Sequence, residues 1–294
     1  MHLRLLPSAF HRIPATDGLP PSQPLTSFIL RSDLGPGPLA VDAGSLGMVG
    51  EAEDMARIRD VLLTHAHIDH IATLPMWLEA LLSKDRAPIP VHATKETIEA
   101  LRAHFFNDVI FPNFEELKEE DGRPLMQFRM VSPEEPCEIA GFEVLGFRVD
   151  HPVPTTGYWI SDGEDAVVFA SDSGPTERLW EVVRDQPNVR AVVLETSFPD
   201  WMEHIARPSG HLTPMLLGEE LRKVPDGVRV LITHMKPAYR GEIIRCVEAL
   251  RDPRVELLEP GSEVTIGGVT PSSGPPSLPA HPPEPLPVDP SRPR

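Results

Sequence analysis

Apolar residues along the chain fall into short runs closed by Gly, Pro or Asp, and into longer stretches where they recur every three or four positions. Short runs rich in Val, Ile and Phe read as strands, and the three-to-four spacing reads as amphipathic helix. On this basis 28–30 and 39–41 form a hairpin pair across a Pro/Gly turn, and 60–63 forms a strand. Helices follow at 76–83 and 94–106. Strands at 144–149, 167–170, 192–194 and 228–232 then alternate with helices at 176–183, 214–223 and 242–250. Thr213 is placed to cap the 214–223 helix, with Pro214 in its first turn. Mixed strands and helices without an internal repeat predict one layered α/β domain over 1–269. The remaining 270–294 is proline-rich, cannot pack a core, and reads as a disordered or polyproline spacer.

Composition adds limits. A 294-residue chain that is 40% hydrophobic can bury a large core. The net charge of −17 argues against a nucleic-acid polymer as partner, because such binding needs a clustered Lys/Arg face. Cys137 and Cys246 are far apart and lack metal or redox spacing, which suggests a reducing, cytoplasmic setting. The apolar run at the start is too short for a secretory signal, and no stretch approaches membrane-spanning length, so no membrane role is expected. Oligomeric state has no sequence signal.

The 60–63 strand leads into Thr64-His65-Ala66-His67-Ile68-Asp69-His70. His65 and His67, two residues apart in an extended loop, can turn toward one cation, while Asp69 and His70 begin the next turn and reach a second. Imidazoles with a carboxylate suit zinc, or manganese or iron in its place. This H-x-H-x-D-H run resembles the signature of the metallo-β-lactamase superfamily. That resemblance implies an αββα sandwich and further ligands at later strand ends. His151, Asp172 and His234 each stand where an apolar run meets a turn. By the superfamily pattern, His65, His67 and His151 would hold one metal, Asp69, His70 and His234 the other, and Asp172 would bridge them. Asp42 is either an acceptor that orients a ligating histidine or a turn cap. Gly44, Gly47 and Gly50 are not followed by a phosphate-loop lysine and are expected to turn the chain beneath the site. His92, His104 and His204 read as packing or solvated residues, and His2, His11 and His281 lie in terminal segments.

Glu195 ends the 192–194 run and His211 precedes the capped helix, so a Glu-oriented imidazole could protonate a departing oxygen. Capping alone is the competing reading for this pair. His211, Glu195 and Asp69 are the catalytic candidates. The segments 106–114, 171–175, 195–198, 210–214 and 232–237, taken with the hexad and in this order, resemble class II 3′,5′-cyclic nucleotide phosphodiesterases over about 25–268. The chain carries Ile68 and Thr73 where that family usually has Leu and Gly or Ser. The resemblance implies two divalent ions, Zn²⁺ first and Mn²⁺ or Fe²⁺ as substitutes, and hydrolysis of cAMP or cGMP to the 5′-monophosphate. Phe111, Phe114 and Trp77 are either core residues or a surface for the base. A tRNA 3′-processing endonuclease shares the hexad and the Glu/His pair but should carry a basic arm. A lactonase or other carboxylic-ester hydrolase would use the metals without needing His211. A non-enzymatic, metal-stabilised interaction module would not require all seven ligand positions, which the chain retains.

Overall fold

The computed structural model describes residues 1–8, 24–48, 57–82 and 88–267. Gly50, His11, His281 and the 270–294 tail lie outside these residues. The first sheet holds β1 (His2–Leu5), β2 (Phe28–Arg31), β3 (Leu39–Val41), β4 (Asp60–Leu62), β5 (Ile89–Ala93) and β6 (Met126–Met130). It also takes β14 (Glu263–Thr265), in the order β14-β1-β2-β3-β4-β5-β6. The second holds β7 (Cys137–Ile139), β8 (Phe142–Arg148), β9 (Thr156–Ser161), β10 (Ala166–Phe169), β11 (Val189–Glu195), β12 (Arg229–Thr233) and β13 (Val255–Leu257). Its order is β13-β12-β11-β10-β9-β8-β7.

Three apolar layers hold the fold. The middle layer joins Leu30, Val41 and Leu62 of the first sheet to Tyr158, Phe169 and Val193 of the second. One outer layer packs Val61 and Val91 against Trp77 and Leu78 of α2 (Leu74–Leu81) and Ile98 of α3 (Lys95–His104), behind the one-turn α1 (Ile68–Ile71). The other packs Val168 and Val192 against Trp180 of α4 (Arg178–Asp185), Leu217 of α6 (Pro214–Glu220) and Ile243 of α7 (Arg240–Ala249). A one-turn helix, α5 (Glu203–Ala206), precedes α6. This is the expected αββα sandwich, with each sheet buried on both faces, which explains the near-continuous apolar runs of its parallel strands. Among the described residues no helix is long and apolar enough to cross a membrane.

The expected hairpin pair is present, with Phe28 opposite Val41 in antiparallel register. Thr213 caps α6 as expected, its side chain accepting from the Leu216 N–H, with Pro214 following. Strand direction then positions the site. In the first sheet β3, β4, β5 and β6 run parallel, and in the second β10, β11, β12 and β13 do. β8 is two antiparallel steps from β10 and so shares its direction. The C-terminal ends of β3, β4, β8, β10, β11 and β12 therefore open toward loops that can gather on one edge, where α/β folds place their ligands. The two sheets are tied there by hydrogen bonds from the Tyr158 hydroxyl to the Leu63 carbonyl (2.9 Å) and from the Thr156 N–H to the Thr64 carbonyl (3.1 Å).

Below this edge three first-sheet loops touch backbone to backbone. Thr26 N–H donates to the Asp69 carbonyl (2.8 Å), Ala43 N–H to the His70 carbonyl (2.7 Å) and Gly44 N–H to the Thr26 carbonyl (2.9 Å). A Cβ on Gly44 would stand 1.9 Å from the Asp69 carbonyl oxygen and 2.7 Å from Thr26 backbone atoms, so only glycine fits. Gly44→Ala is expected to cost about 1–3 kcal/mol, the usual range for overpacking. Thermal unfolding checks it, and an unchanged midpoint would show that these loops are not held as tightly as their contacts imply.

Candidate metal centre

The hexad leaves β4 as an extended loop and turns into α1 at Ile68, with His67 still extended at φ −65°, ψ 146°. That geometry sends His65 and His67 outward from the strand end and places Asp69 and His70 one turn later. Asp42, immediately after β3 and in the left-handed region at φ 61°, lies beneath them. Its carboxylate accepts from the Thr64 N–H (2.8 Å), the Thr64 hydroxyl (2.9 Å) and the His70 Nδ1–H (2.7 Å). Because the Thr64 hydroxyl donates to Asp42, it accepts from His65 Nδ1–H at 3.0 Å. Asp42 is thus the orienting acceptor, and its position after β3 makes it a turn residue as well.

The second sheet answers with three loops. His151 donates from Nδ1 to the Gly210 carbonyl (3.0 Å). Gly210, at φ 61°, passes so close that a Cβ would meet the His151 Cα at 2.8 Å. The Ser197 hydroxyl donates to the His234 carbonyl (2.9 Å) and accepts from His234 Nδ1–H (3.0 Å). In His65, His70, His151 and His234 the Nδ1 side is therefore taken by these partners, and Nε2 is the atom turned toward the centre.

These atoms converge in two groups. Donor atoms of His65, His67, His151 and Asp172 lie within 4.8 Å of one another, and so do those of Asp69, His70, Asp172 and His234. His67 offers Nδ1 instead, 3.2 Å from His151 Nε2. Asp172 belongs to both groups through different oxygens: Oδ2 is 3.9 Å from His65 Nε2, while Oδ1 is 3.4 Å from both His70 Nε2 and His234 Nε2. Asp69 Oδ2 is 3.2 Å from His234 Nε2. All seven residues expected at the site are brought together.

Several observations fit a divalent metal. His65 Nε2 is buried with no hydrogen-bond partner, a costly state for a polar atom unless something coordinates it. Burial, the largest influence, holds the His65, His67 and His151 imidazoles below their usual range and so neutral, the form that ligates. Burial pushes the Asp172 carboxyl up, yet the adjoining His234 and His70 hold it well below the usual carboxylate range. Asp69 behaves likewise, burial being outweighed by the hydrogen bond with His234. His70 is raised: burial opposes its charge, but Asp172 and Asp42 outweigh it. The neutral imidazoles of His65, His67 and His151 with the ionised carboxylates of Asp69 and Asp172 are nitrogen and oxygen donors of the kind divalent metals take, and a bound cation would displace the proton that His70 otherwise holds.

His211 and Glu195 stand beside the second group. His211 Nδ1 donates to Glu195 Oε1 at 2.6 Å, and the Leu212 N–H reaches the same oxygen at 3.3 Å. The His211 ring stacks on His234 at 5.9 Å between centroids. Burial lowers its proton affinity, but Glu195 more than compensates and the imidazole is raised above its usual value. The pair is thus a charge-assisted dyad rather than a simple cap. Elsewhere, His92 pairs with Asp60 (2.8 Å) and His2 with Asp33 (2.8 Å), while His104 and His204 are exposed on helices. Trp77 and Phe114 are buried in the layer behind the first sheet and Phe111 packs against it, so the reading of these rings as a base surface gives way to their core role. Thr64, Ser197 and the Gly210 carbonyl were not assigned roles from the sequence. Their partners arrive from other strands, and only the proximity of Thr64 to the hexad hinted at one.

A model of the Beta-lactamase superfamily domain matches residues 42–235, from Asp42 to the residue after His234. The chain belongs to that family. It is 25% identical over 270 residues to a probable 3′,5′-cyclic-nucleotide phosphodiesterase of Yersinia pestis, covering 75% of this chain and 76% of the relative. It is 28% identical over 242 residues to 3′,5′-cyclic-nucleotide phosphodiesterase 1 of Saccharomyces cerevisiae, covering 69% of this chain and 60% of the relative. A Ribonuclease Z of Kineococcus radiotolerans matches at 25% over 224 residues, 62% of this chain and 68% of its own. The solved structure of unliganded yeast PDE1 shares the fold at a TM-score of 0.71 and 19% identity, covering 89% of this chain and 98% of that one.

Because Asp172 turns one oxygen to each donor group, Asp172→Ala should lower bound metal as well as any activity. Asp42→Asn, which removes the charge and one of the accepting oxygens that orient His70 and Thr64, should weaken metal binding about ten- to a hundredfold. Elemental analysis of purified variants decides, and a full metal complement in Asp172→Ala would remove that residue from the centre.

Proposed function

We propose that the protein hydrolyses 3′,5′-cyclic nucleotides, cAMP or cGMP, to nucleoside 5′-monophosphates with two divalent ions, Zn²⁺ first and Mn²⁺ or Fe²⁺ as substitutes. The observation that carries this is Asp172, whose two oxygens face separate donor groups. His65, His67 and His151 would hold one ion and Asp69, His70 and His234 the other, with Asp172 between them. Such a pair supplies Lewis acidity and an activated water for in-line attack on a phosphodiester.

The chain's own residues do the rest. The ribose 3′-oxygen is a poor leaving group and needs a proton as its bond to phosphorus breaks. With His211 Nδ1–H committed to Glu195, Nε2 of the protonated ring is the position from which that proton leaves. Glu195 is buried, at 2% exposure, so its charge acts on the imidazole through little intervening water and stabilises the protonated form. Asp69 orders the site from the opposite sheet through its contact with His234.

The relatives named as 3′,5′-cyclic-nucleotide phosphodiesterases support this substrate class. The ribonuclease Z relative makes precursor tRNA the competing one, and the acidic composition alone does not separate the two. Product analysis with zinc- and manganese-loaded protein should show the 5′-monophosphate from cAMP or cGMP. Turnover of a 2′,3′-cyclic nucleotide, a lactone or precursor tRNA, with 3′,5′-cyclic nucleotides left intact, would overturn the assignment. A second experiment isolates the acid. His211→Ala should reduce hydrolysis of an alkyl phosphodiester about 10²–10⁴-fold, the usual contribution of general acid catalysis, and reduce that of a nitrophenyl phosphodiester far less. Equal losses on both substrates would mean that His211 does not donate the proton.

A further inference from the structure

Beside the His211 dyad lies a cation to which no role has been assigned. Lys236 follows His234 by two residues, and its backbone N–H donates to the Ser197 carbonyl at 3.1 Å. Pro237 comes next, and a residue before proline is driven out of the helical region. Lys236 accordingly sits at φ −59°, ψ 128°. The side chain is half-buried, and its ammonium lies 6.0 Å from the centre of the Phe198 ring. That ring packs edge-on against His211 at 5.6 Å, and the ammonium is close enough for its charge to be felt by the imidazole.

What sets Lys236 apart is its lack of a carboxylate. Among the described lysines, Lys95 pairs with Glu99, Lys118 donates to the Glu115 carbonyl, and Lys223 pairs with Glu177 and Glu220. No ion pair or side-chain hydrogen bond engages the Lys236 ammonium among the described residues, in a chain with 44 acidic and 27 basic side chains. A half-buried ammonium held over a ring, with no anion of the protein's own, is placed to receive one from outside.

We propose that Lys236 is a substrate-binding residue whose ammonium contacts a non-bridging oxygen or the ester oxygen of the phosphodiester presented to His211. Phe198 sets its direction by covering one side of the charge, and the Ser197 contact fixes it relative to His234. The inference rests on the phosphodiesterase reading but not on the nucleotide, so it is tested without one.

The experiment uses the metal-loaded full chain with bis(4-nitrophenyl) phosphate as substrate and inorganic phosphate as competitive inhibitor. Lys236→Met should lower kcat/KM about tenfold, mainly through a higher KM, and weaken phosphate inhibition to a similar degree, as expected for one charge-assisted hydrogen bond. It should also flatten the fall of kcat/KM with added salt, since one attractive charge is gone. Lys236→Arg, which keeps the charge, should recover most of the loss. Wild-type KM and phosphate inhibition in Lys236→Met, a loss of bound metal in that variant, or failure of Lys236→Arg to restore binding would each overturn the proposal. Failure of the cyclic-nucleotide assignment would instead appear as intact cAMP and cGMP alongside an unchanged Lys236 effect on the nitrophenyl ester.

Discussion

Asp172 is the point on which both halves of this molecule meet. An ionised carboxylate at 2% exposure is expensive to bury unless positive charge or strong donors surround it. Its neighbours come from both sheets at once: His65 and His70 lead off the first and His234 follows a strand of the second, and the divalent ions these residues would hold supply the compensating charge. Neither sheet could satisfy this carboxylate alone. The sandwich therefore has to close with its parallel strand ends in line, and the contacts of Tyr158 with Leu63 and of Thr156 with Thr64 hold that alignment. The remainder of the centre follows from it.

Around Asp172 the surrounding residues fix which nitrogen faces the centre. Asp42, Thr64, Ser197 and the Gly210 carbonyl occupy the Nδ1 side of four imidazoles, so each Nε2 points inward. Backbone strain accompanies this order. Asp42, Ser171 and His234 all adopt positive φ, a conformation that non-glycine residues occupy at a cost of about 1–3 kcal/mol each. Each stands at a strand end next to a site residue or is one. The apolar layers beneath supply the stability that keeps these turns in place, which is why the functional edge sits on the most deeply buried strands.

How much of this was legible in the sequence depends on distance along the chain. The hexad was readable because its four donors lie within six residues, and the strand–turn positions of His151, Asp172 and His234 were readable as local pattern. Strands β3, β4, β10, β11 and β12 of the parallel blocks were legible as apolar runs, and the Thr213–Pro214 cap as a local motif. What escaped notice was non-local. β9 carries Thr, Gly and Ser among its apolar residues and is buried only because it lies mid-sheet; β1, β13 and β14 are short and acquire strand character from their neighbours. Ser197 and Lys236 matter through partners on other segments, which no spacing rule encodes. Phe111, Phe114 and Trp77 illustrate the converse: as aromatic residues they left a core role and a base surface both open in the sequence, and packing behind the first sheet decides for the core.

Charge remains the feature that most needs reconciling with a phosphate substrate, since the chain carries −17. At physiological ionic strength a surface charge is screened beyond about 8 Å, so a small anion at the centre responds mainly to what lies within that radius. Around Asp172 stand the imidazoles of His65, His67, His70, His151 and His234 and the Asp69 carboxylate, with Asp42 on His70 and the His211–Glu195 pair beside His234, and the proposed pair of divalent ions would offset these carboxylates. A cyclic nucleotide presents one phosphate and fits inside this zone. The net charge of the chain and the charge at its centre are therefore separate quantities: the first counts every acidic side chain, and the second is set by the donors gathered around Asp172 and by the ions they would hold.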